Sequence, residues 1–252
     1  MLLVVDVGNT NICFGVFNGD VLVETFKYDS DRKLTVSEHA VFFREMSTKY
    51  NIQKCIIGSV VEELNLKLKA ASDEVFGIET LVFSNDLNTG LRLNVQNPEK
   101  VGVDRVANAY AALRLYDAPT IVVDSGSATT FDIVSEEAEF IGGVIMPGLK
   151  MQLASLCKGT SKLPKIEISE VENAIGDSTE SAILSGVIRG SACAIEGLVS
   201  QCESEIDGDI MLIGTGGCVS LLEKYMTREF DEINPELTLY GLKFLAEINW
   251  LF

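Results

Sequence analysis

The sequence predicts an α/β fold of two similar halves, each a mixed sheet flanked by helices, with a cleft between them. Three observations point there. A strand ending in Asp and then a Gly turn occurs twice, at Leu2–Asp6 with Gly8 and at Thr120–Asp124 with Gly126. A strand, a small-residue turn and a helical pattern follow each copy, at Cys55–Val61 and at Met211–Gly217. Apolar strands also alternate with helical stretches along the whole chain, the pattern of layered α/β folds. The same units recurring in the same order indicate a duplication. The halves are read as residues 1–115 and 116–252, and no linker or low-complexity stretch separates them.

Each element has a local reason. Leu2-Leu3-Val4-Val5 is a short apolar strand, Ile12, Phe14 and Val16 alternate as a second, and Asn18-Gly19-Asp20 closes a hairpin. Val36 to about Tyr50 is amphipathic, and Leu64, Leu66 and Leu68 mark the helix after the Cys55 strand. Asp104 to Tyr116 is rich in helix formers. In the second half, Thr120–Val123 and Phe131–Val134 are strands. Thr179 to about Cys202 is a long helix carrying Ser185, Gly186, Gly190, Ser191, Ala192 and Ala194, so it is expected to pack closely against a neighbour or a second subunit. Leu221, Leu222 and Tyr225 belong to the helix after the Met211 strand, and Pro235 precedes a final helix, Leu237 to Leu251.

Composition narrows the function. The 252 residues hold 20 Lys plus Arg against 37 Asp plus Glu, a net charge of -17. Nucleic acid and anionic membrane are poor partners for such a surface, because phosphate backbones need a basic footprint. No uninterrupted apolar stretch approaches the ~20 residues of a bilayer span. The start, MLLVVD, has no basic segment and no long apolar one, so a cytoplasmic location is expected. Cys13, Cys55, Cys157, Cys193, Cys202 and Cys218 form no CxxC pair, and His39 is the single histidine. A thiolate–imidazole zinc site is therefore not expected, and the cysteines read as buried free thiols. His39 sits in a helical stretch with no nucleophile beside it, which leaves any acid–base chemistry to a carboxylate.

The glycines carry the next signal. Neither GxxxxGK[ST] nor a GxGxxG after a strand occurs. Instead, Asp6-Val7-Gly8-Asn9-Thr10-Asn11 and Asp124-Ser125-Gly126-Ser127 each put a carboxylate at a strand end beside a turn whose amides can face an anion. Such a carboxylate can hold a cation, directly or through water. Two such turns suit a metal-bound polyphosphate better than one does. A third segment, Asn97-Pro98-Glu99-Lys100-Val101-Gly102-Val103-Asp104-Arg105, opens a helix. Asp104 there reads either as a helix cap or as a base beside a bound substrate, and a helix N-terminus favours an anion in both cases.

Five motifs in order, D-x-G-N-T at Asp6–Thr10, G-x-D-R at Gly102–Arg105, D-x-G-[TS]-A-T at Asp124–Thr129, G-G-x-I-x-P-G at Gly142–Gly148 and N-P-x-L-T-L-x-G-L-K at Asn234–Lys243, together resemble the type III pantothenate kinases. The resemblance implies the actin-like (ribonuclease H-like) fold of the acetate and sugar kinases, usually as a homodimer. It implies ATP-dependent phosphorylation of pantothenate to 4'-phosphopantothenate, the first step of coenzyme A synthesis, with Mg²⁺ and a monovalent cation, K⁺ or NH₄⁺. Carried over, Asp6, Val7, Gly8, Asn9, Thr10, Asn11, Ile12 and Cys13 would line the ATP phosphates, with Asp6 holding Mg²⁺ through water. Asp104 would be the general base, and Gly102, Val103, Asp104, Arg105 and Thr179 would hold pantothenate. Asp124 would hold the monovalent cation, and the Ser127 hydroxyl would contact ATP. Val95 stands where the family often has an aromatic residue, so one side of the substrate pocket is expected to differ. Two alternatives share the fold: a non-catalytic regulatory protein, against which the intact carboxylates count, and another actin-like phosphotransferase, against which G-x-D-R counts.

Overall fold

The structure, a computed structural model, describes residues 1–116, 118–159 and 166–250, with only the backbone at 157–159. The chain forms two compact units, Met1–Arg114 with Leu237–Phe252, and Leu115–Glu236.

In the first unit, β1 (Leu2–Val7) pairs antiparallel with β2 (Asn11–Asn18), and β2 with β3 (Val21–Asp29). After α1 (Val36–Lys49), β4 (Lys54–Ser59) returns parallel to β1. After α2 (Glu62–Phe76), β5 (Leu81–Val82) adds parallel to β4, giving the order β3-β2-β1-β4-β5. The two-residue β6 (Arg92–Leu93) and a 3₁₀ turn at Pro98–Lys100 lead into α3 (Val103–Leu115). Strand alternation sends Leu3, Val5, Val7, Ile12, Phe14, Val16, Cys55 and Ile57 into one core with α1 and α2. In α2, Leu64 and Leu68 are buried while Leu66 is 79% exposed, because helical neighbours lie four residues apart and not two. Thr35 and Glu38 form a reciprocal capping box that starts α1. Gly19, at φ +60°, closes the hairpin expected at Asn18–Asp20.

The second unit repeats the plan. β7 (Thr120–Ser125), β8 (Ala128–Val134) and β9 (Glu139–Pro147) form an antiparallel meander. α4 (Leu149–Gly159) and α5 (Thr179–Glu203) follow. β10 (Met211–Thr215) then joins β7 in parallel, α6 (Val219–Glu223) follows it, and β11 (Glu232–Ile233) pairs parallel with β10. Within this unit the order β9-β8-β7-β10-β11 matches β3-β2-β1-β4-β5 strand for strand. Ile121, Val123, Phe131 and Ile133 face a core filled by α4, α5 and α6. By length and composition α5 could cross a bilayer, but its Leu184, Val187, Ile188, Ala192, Ile195 and Val199 belong to this core.

α7 (Leu237–Asn249) corrects the expected division at residue 116, since it belongs to the first unit and not the second. Its Leu237, Leu239, Leu242, Leu245 and Ala246 are buried, and it lies against β1 and β4 on the face opposite α1 and α2. The expected end of this helix, Leu251, falls outside the described residues. The cysteines are more varied than the sequence suggested. Cys55 is buried, Cys13, Cys202 and Cys218 are half-buried, and Cys193 is exposed on α5. The side chain of Cys157 lies outside the described ones.

Candidate active site

β1 ends in the first glycine turn. Asp6 pairs with Cys13 across β1–β2 and with Gly58 across β1–β4. The strand ladder stops at Val7 and Ile12, leaving Gly8, Asn9, Thr10 and Asn11 as the turn. The Gly8 amide donates to the Asn11 carbonyl at 3.0 Å, and a Cβ on Gly8 would lie 3.2 Å from that oxygen. Asp6 alternates with the buried Val5 and Val7, so its carboxylate projects from the face away from α1 and α2. Asn9 and Thr10 are exposed, Asn11 and Cys13 half-buried, and Ile12 buried. Ile12 thus anchors the turn in the core.

α3 reaches the same end of the same sheet. Gly58, the strand neighbour of Asp6, has no side chain, and its missing Cβ would lie 3.1 Å from Val103 Cγ1 and 2.8 Å from a Leu242 methyl. The first turn of α3 and α7 therefore fill the hollow beside Asp6. The helix is capped at Gly102, whose carbonyl accepts from the Val106 amide at 3.1 Å. Asp104 is not the cap itself. It lies inside the first turn, and its Oδ1 accepts from the Arg105 amide at 2.8 Å. A Cβ on Gly102 would come within 2.5 Å of Asp104 Oδ1, so glycine lets the carboxylate fold back there. Burial pushes the Asp104 carboxyl above its ordinary range, against the pull of the Arg105 amide and guanidinium.

Sequence reasoning missed the support of this segment. The Asn85 amide donates to the carbonyls of Pro98 (2.9 Å) and Val101 (2.8 Å), fixing the backbone before α3. An isolated Asn after a strand carries no signal of that role. Val95 is half-buried in a bend after β6.

In the second unit Asp124 takes the position of Asp6. It pairs with Thr130 on β8 and with Thr215 on β10, on the face away from α4 and α5. Its carboxylate is cradled by glycines. A Cβ on Gly126 would lie 3.3 Å from Asp124 Oδ1, and one on Gly216 (φ +87°) would come closer still and meet the Ser125 backbone at 2.6 Å. Gly148 backs the turn, since a Cβ there would lie 2.7 Å from the Gly126 carbonyl oxygen. Ser127 is half-exposed on this turn. The two turns differ in length: Gly8–Asn11 has four residues between paired strands, and Gly126–Ala128 has three.

Thr179 opens α5 behind the Ser178–Ser181 capping box and is exposed. With Pro147, Met151, Gln152, Leu156 and Ile183 it lines a groove of about 870 Å³ between α4 and α5. The Gln152 amide ties the groove floor together by donating to Pro147 O (2.8 Å) and Ser191 Oγ (2.9 Å). Among the described residues no three His, Cys, Asp or Glu side chains gather as a metal site. His39 is buried in the α1–α2 core, and both its ring nitrogens lack a hydrogen-bond partner.

Comparison with known proteins places the chain in a family. A sequence model of the family described as type III pantothenate kinase matches residues 2–201. A type III pantothenate kinase of Finegoldia magna is 37% identical over 257 residues, covering 99% of this chain and 98% of that protein. One from an Exiguobacterium species is 34% identical over 254 residues, covering 99% of both chains. Among solved structures, a Campylobacter jejuni protein described as a Baf family transcriptional activator superposes with a TM-score of 0.62 at 23% identity, covering 98% of each chain. A Sinorhizobium meliloti protein described as a 2-dehydro-3-deoxygalactonokinase gives 0.62 at 12% identity, covering 100% of this chain and 98% of that one. At these identities the structural likenesses show the fold, which is that of the actin-like sugar kinases.

Proposed function

The chain belongs to the type III pantothenate kinase family, and from that premise we propose that it transfers the γ-phosphoryl group of ATP to the primary hydroxyl of pantothenate. The product is 4'-phosphopantothenate, and the step opens coenzyme A synthesis. One observation carries the reading: the Asp6 turn and the first turn of α3 meet at Gly58, so a phosphate-holding turn and a carboxyl raised by burial share one end of one sheet.

Asp104 acts as the general base. Its raised pKa makes it a stronger proton acceptor than an exposed Asp, and the Arg105 amide keeps one oxygen oriented. It aligns the hydroxyl and takes its proton as the oxygen attacks the γ-phosphorus. Phosphoryl transfer of this kind depends mostly on positioning and charge neutralisation. The amides and side chains from Val7 to Cys13 hold the ATP phosphates, and the Ser127 hydroxyl is a further candidate ATP contact. Pantothenate lies against Gly102, Val103 and Arg105 beside Val95, and Thr179 is a further candidate contact for it.

Asp6, at the end of β1 beside the glycine turn, would hold Mg²⁺ through water as an ion carried in on the nucleotide phosphates. The glycine cradle of Asp124 fits K⁺ or NH₄⁺ on that carboxylate. Both cations supply positive charge that a chain of net charge -17 lacks.

The working form is a homodimer joined through the outer face of α5. Gly186, Gly190 and Gly197 on that helix have nothing of their own chain within 4 Å of a built Cβ. Each mid-helix glycine costs about 0.5–1 kcal/mol against alanine, and a closely packed partner backbone gives that cost a reason.

The decisive experiment is steady-state kinetics with pantothenate, ATP and Mg²⁺, with and without K⁺, on wild type and Asp104→Asn. Turnover in the variant should fall roughly 10²–10⁴-fold, the scale of general-base loss. Absence of ADP release with pantothenate in the wild type would refute the function. Equal turnover in the variant would remove Asp104 from the chemistry.

A further inference from the structure

The first glycine turn has a basic neighbour that no motif announces. Pairing of Asn11 with Asp29 brings the end of β3 alongside the start of β2, so the chain leaves the sheet next to the turn. The Ser30 amide donates to the Thr10 carbonyl at 2.9 Å, joining the two backbones. Lys67 Nζ on α2 donates to the carbonyls of Arg32 (2.7 Å) and Leu34 (3.0 Å), which fixes the loop from its other side. Arg32 is thereby held over the turn, and its Nη2 donates to Asn9 Oδ1 at 3.1 Å.

The other contact of Arg32 is weak. Its Nη1 lies 3.6 Å from Glu63 Oε2, and the two side chains are 51% and 67% exposed. A solvated pair of this kind contributes at most about 1 kcal/mol and is screened by salt. A guanidinium gains more from the paired oxygens of a phosphate, which its planar fork matches. We propose that Arg32 is a nucleotide-phosphate binding residue: it keeps its bond to Asn9 and exchanges Glu63 for an oxygen of the bound nucleotide's phosphate tail. This rests on reading the Asp6–Cys13 turn as the phosphate site, and it adds a cationic side chain to the amides and uncharged side chains of that turn.

The test is equilibrium binding of ATP, ADP and adenosine to the full-length protein by calorimetry at two salt concentrations, for wild type, Arg32→Ala, Arg32→Lys and Arg32→Gln. ATP should bind about ten-fold more weakly to Arg32→Ala, the scale of one lost charge-assisted bond. Adenosine affinity should be unchanged, Arg32→Lys should recover most of the loss, and salt should weaken ATP binding less in Arg32→Ala than in wild type. Arg32→Gln can still donate to Asn9 but carries no charge. If it behaves like Arg32→Ala, charge is what the phosphates need; if it behaves like wild type, Arg32 only braces Asn9 and the proposal is wrong. ATP affinity in Arg32→Ala within two-fold of wild type also overturns it, as does an equal loss for adenosine. Pantothenate turnover by the wild type is measured in parallel. A wild type that binds ATP without phosphorylating pantothenate refutes the kinase reading while the binding comparison still judges Arg32.

Discussion

Gly241→Ala links the packing of the first unit to its chemistry. A Cβ at 241 would lie 2.5 Å from the carbonyl carbon of Ala107 and 2.9 Å from its Cα, and closer still to its oxygen. These are backbone atoms of α3, and they cannot swing aside as a side chain would. The helices must separate by about 1 Å, and a gap of that size forfeits up to half of each dispersion contact along the seam. Along that seam the Thr238 hydroxyl donates to Asn108 Oδ1 at 2.7 Å, and the Tyr110 and Phe244 rings meet edge to face. Overpacking a tight core costs about 1–3 kcal/mol, and a clash with backbone belongs at the upper end, about 3 kcal/mol. At about 2–4 °C per kcal/mol for a chain of this size, the melting temperature should drop by ~6–12 °C. Turnover should fall as well, because α3 carries Asp104, the proposed base, and a shift of about 1 Å in a reacting group can cost 10²-fold. Circular dichroism melts and initial-rate kinetics on the same preparation read both effects. Because the clash is with backbone, Ala107→Gly should not rescue the variant. A melting temperature within 2 °C of wild type, or rescue by Ala107→Gly, would show that this contact does not set the spacing of the helices.

Four further outcomes follow from the same geometry. Gly102→Ala should lower turnover by about 10-fold or more with little change in melting temperature, since the new methyl displaces only the Asp104 carboxylate; a large loss of stability would contradict this. The pKa of Asp104 is raised in the folded chain, so the folded state holds its proton more tightly and stability from this group declines as pH rises through that pKa. Asp104→Asn should therefore melt above wild type near neutral pH, with the gap closing in acid, while the acid limb of wild-type kcat/KM lies above the ordinary carboxylate range. His39 is lowered by burial and by Lys67, with Glu38 and Asp31 pulling the other way, so stability should fall as pH drops below about 6.5, and a denaturation series on His39→Leu should lose that slope. Gly190→Ala should weaken dimerisation measured by sedimentation; were α5 unpartnered, it would instead stabilise the chain by about 0.5–1 kcal/mol without changing its mass.

The repeated plan was legible because its signal is local. A β-branched run, an Asp and a Gly turn identify themselves within ten residues, and both copies fold with the same strand order. The segments IIGS and LIGT align in the sequence at Gly58 and Gly214. The register instead matches Gly58 to Thr215, since these are the partners of Asp6 and Asp124. A one-residue offset cannot be seen without the ladder. What stayed hidden depends on distant neighbours. Amphipathic periodicity marks α7 as a helix but does not say which sheet it covers. Lys243 read as a motif residue, yet it is 2% exposed and bonded to Asp20 on the β2–β3 hairpin and to Glu247 at 2.9 Å. Burial opposes its charge, and those two carboxylates more than restore it. Arg32 reaches Asn9 only because β2 and β3 pair in one particular register.

The two copies have diverged after the strand that partners each Asp, and the divergence gives the two carboxylates different surroundings. After the strand that partners Asp6, the chain turns through Gly58, Ser59 and Val60, and the Val60 amide donates back to the Val7 carbonyl at 3.1 Å. After the strand that partners Asp124, it needs Thr215, Gly216, Gly217 and Cys218 before the Cys218 amide makes the matching bond to Ser125 at 3.1 Å. The second copy thus has one residue more, and Gly216 takes it up at φ +87°, a conformation most side chains avoid. In the first copy the space beside the carboxylate is filled by Val103 and Leu242, which bring α3 and its Asp104 to the sheet end. In the second, glycine leaves the space to the Asp124 carboxylate itself. One extra residue, taken up at a glycine, therefore separates a carboxylate beside a packed helix from a carboxylate cradled by glycines.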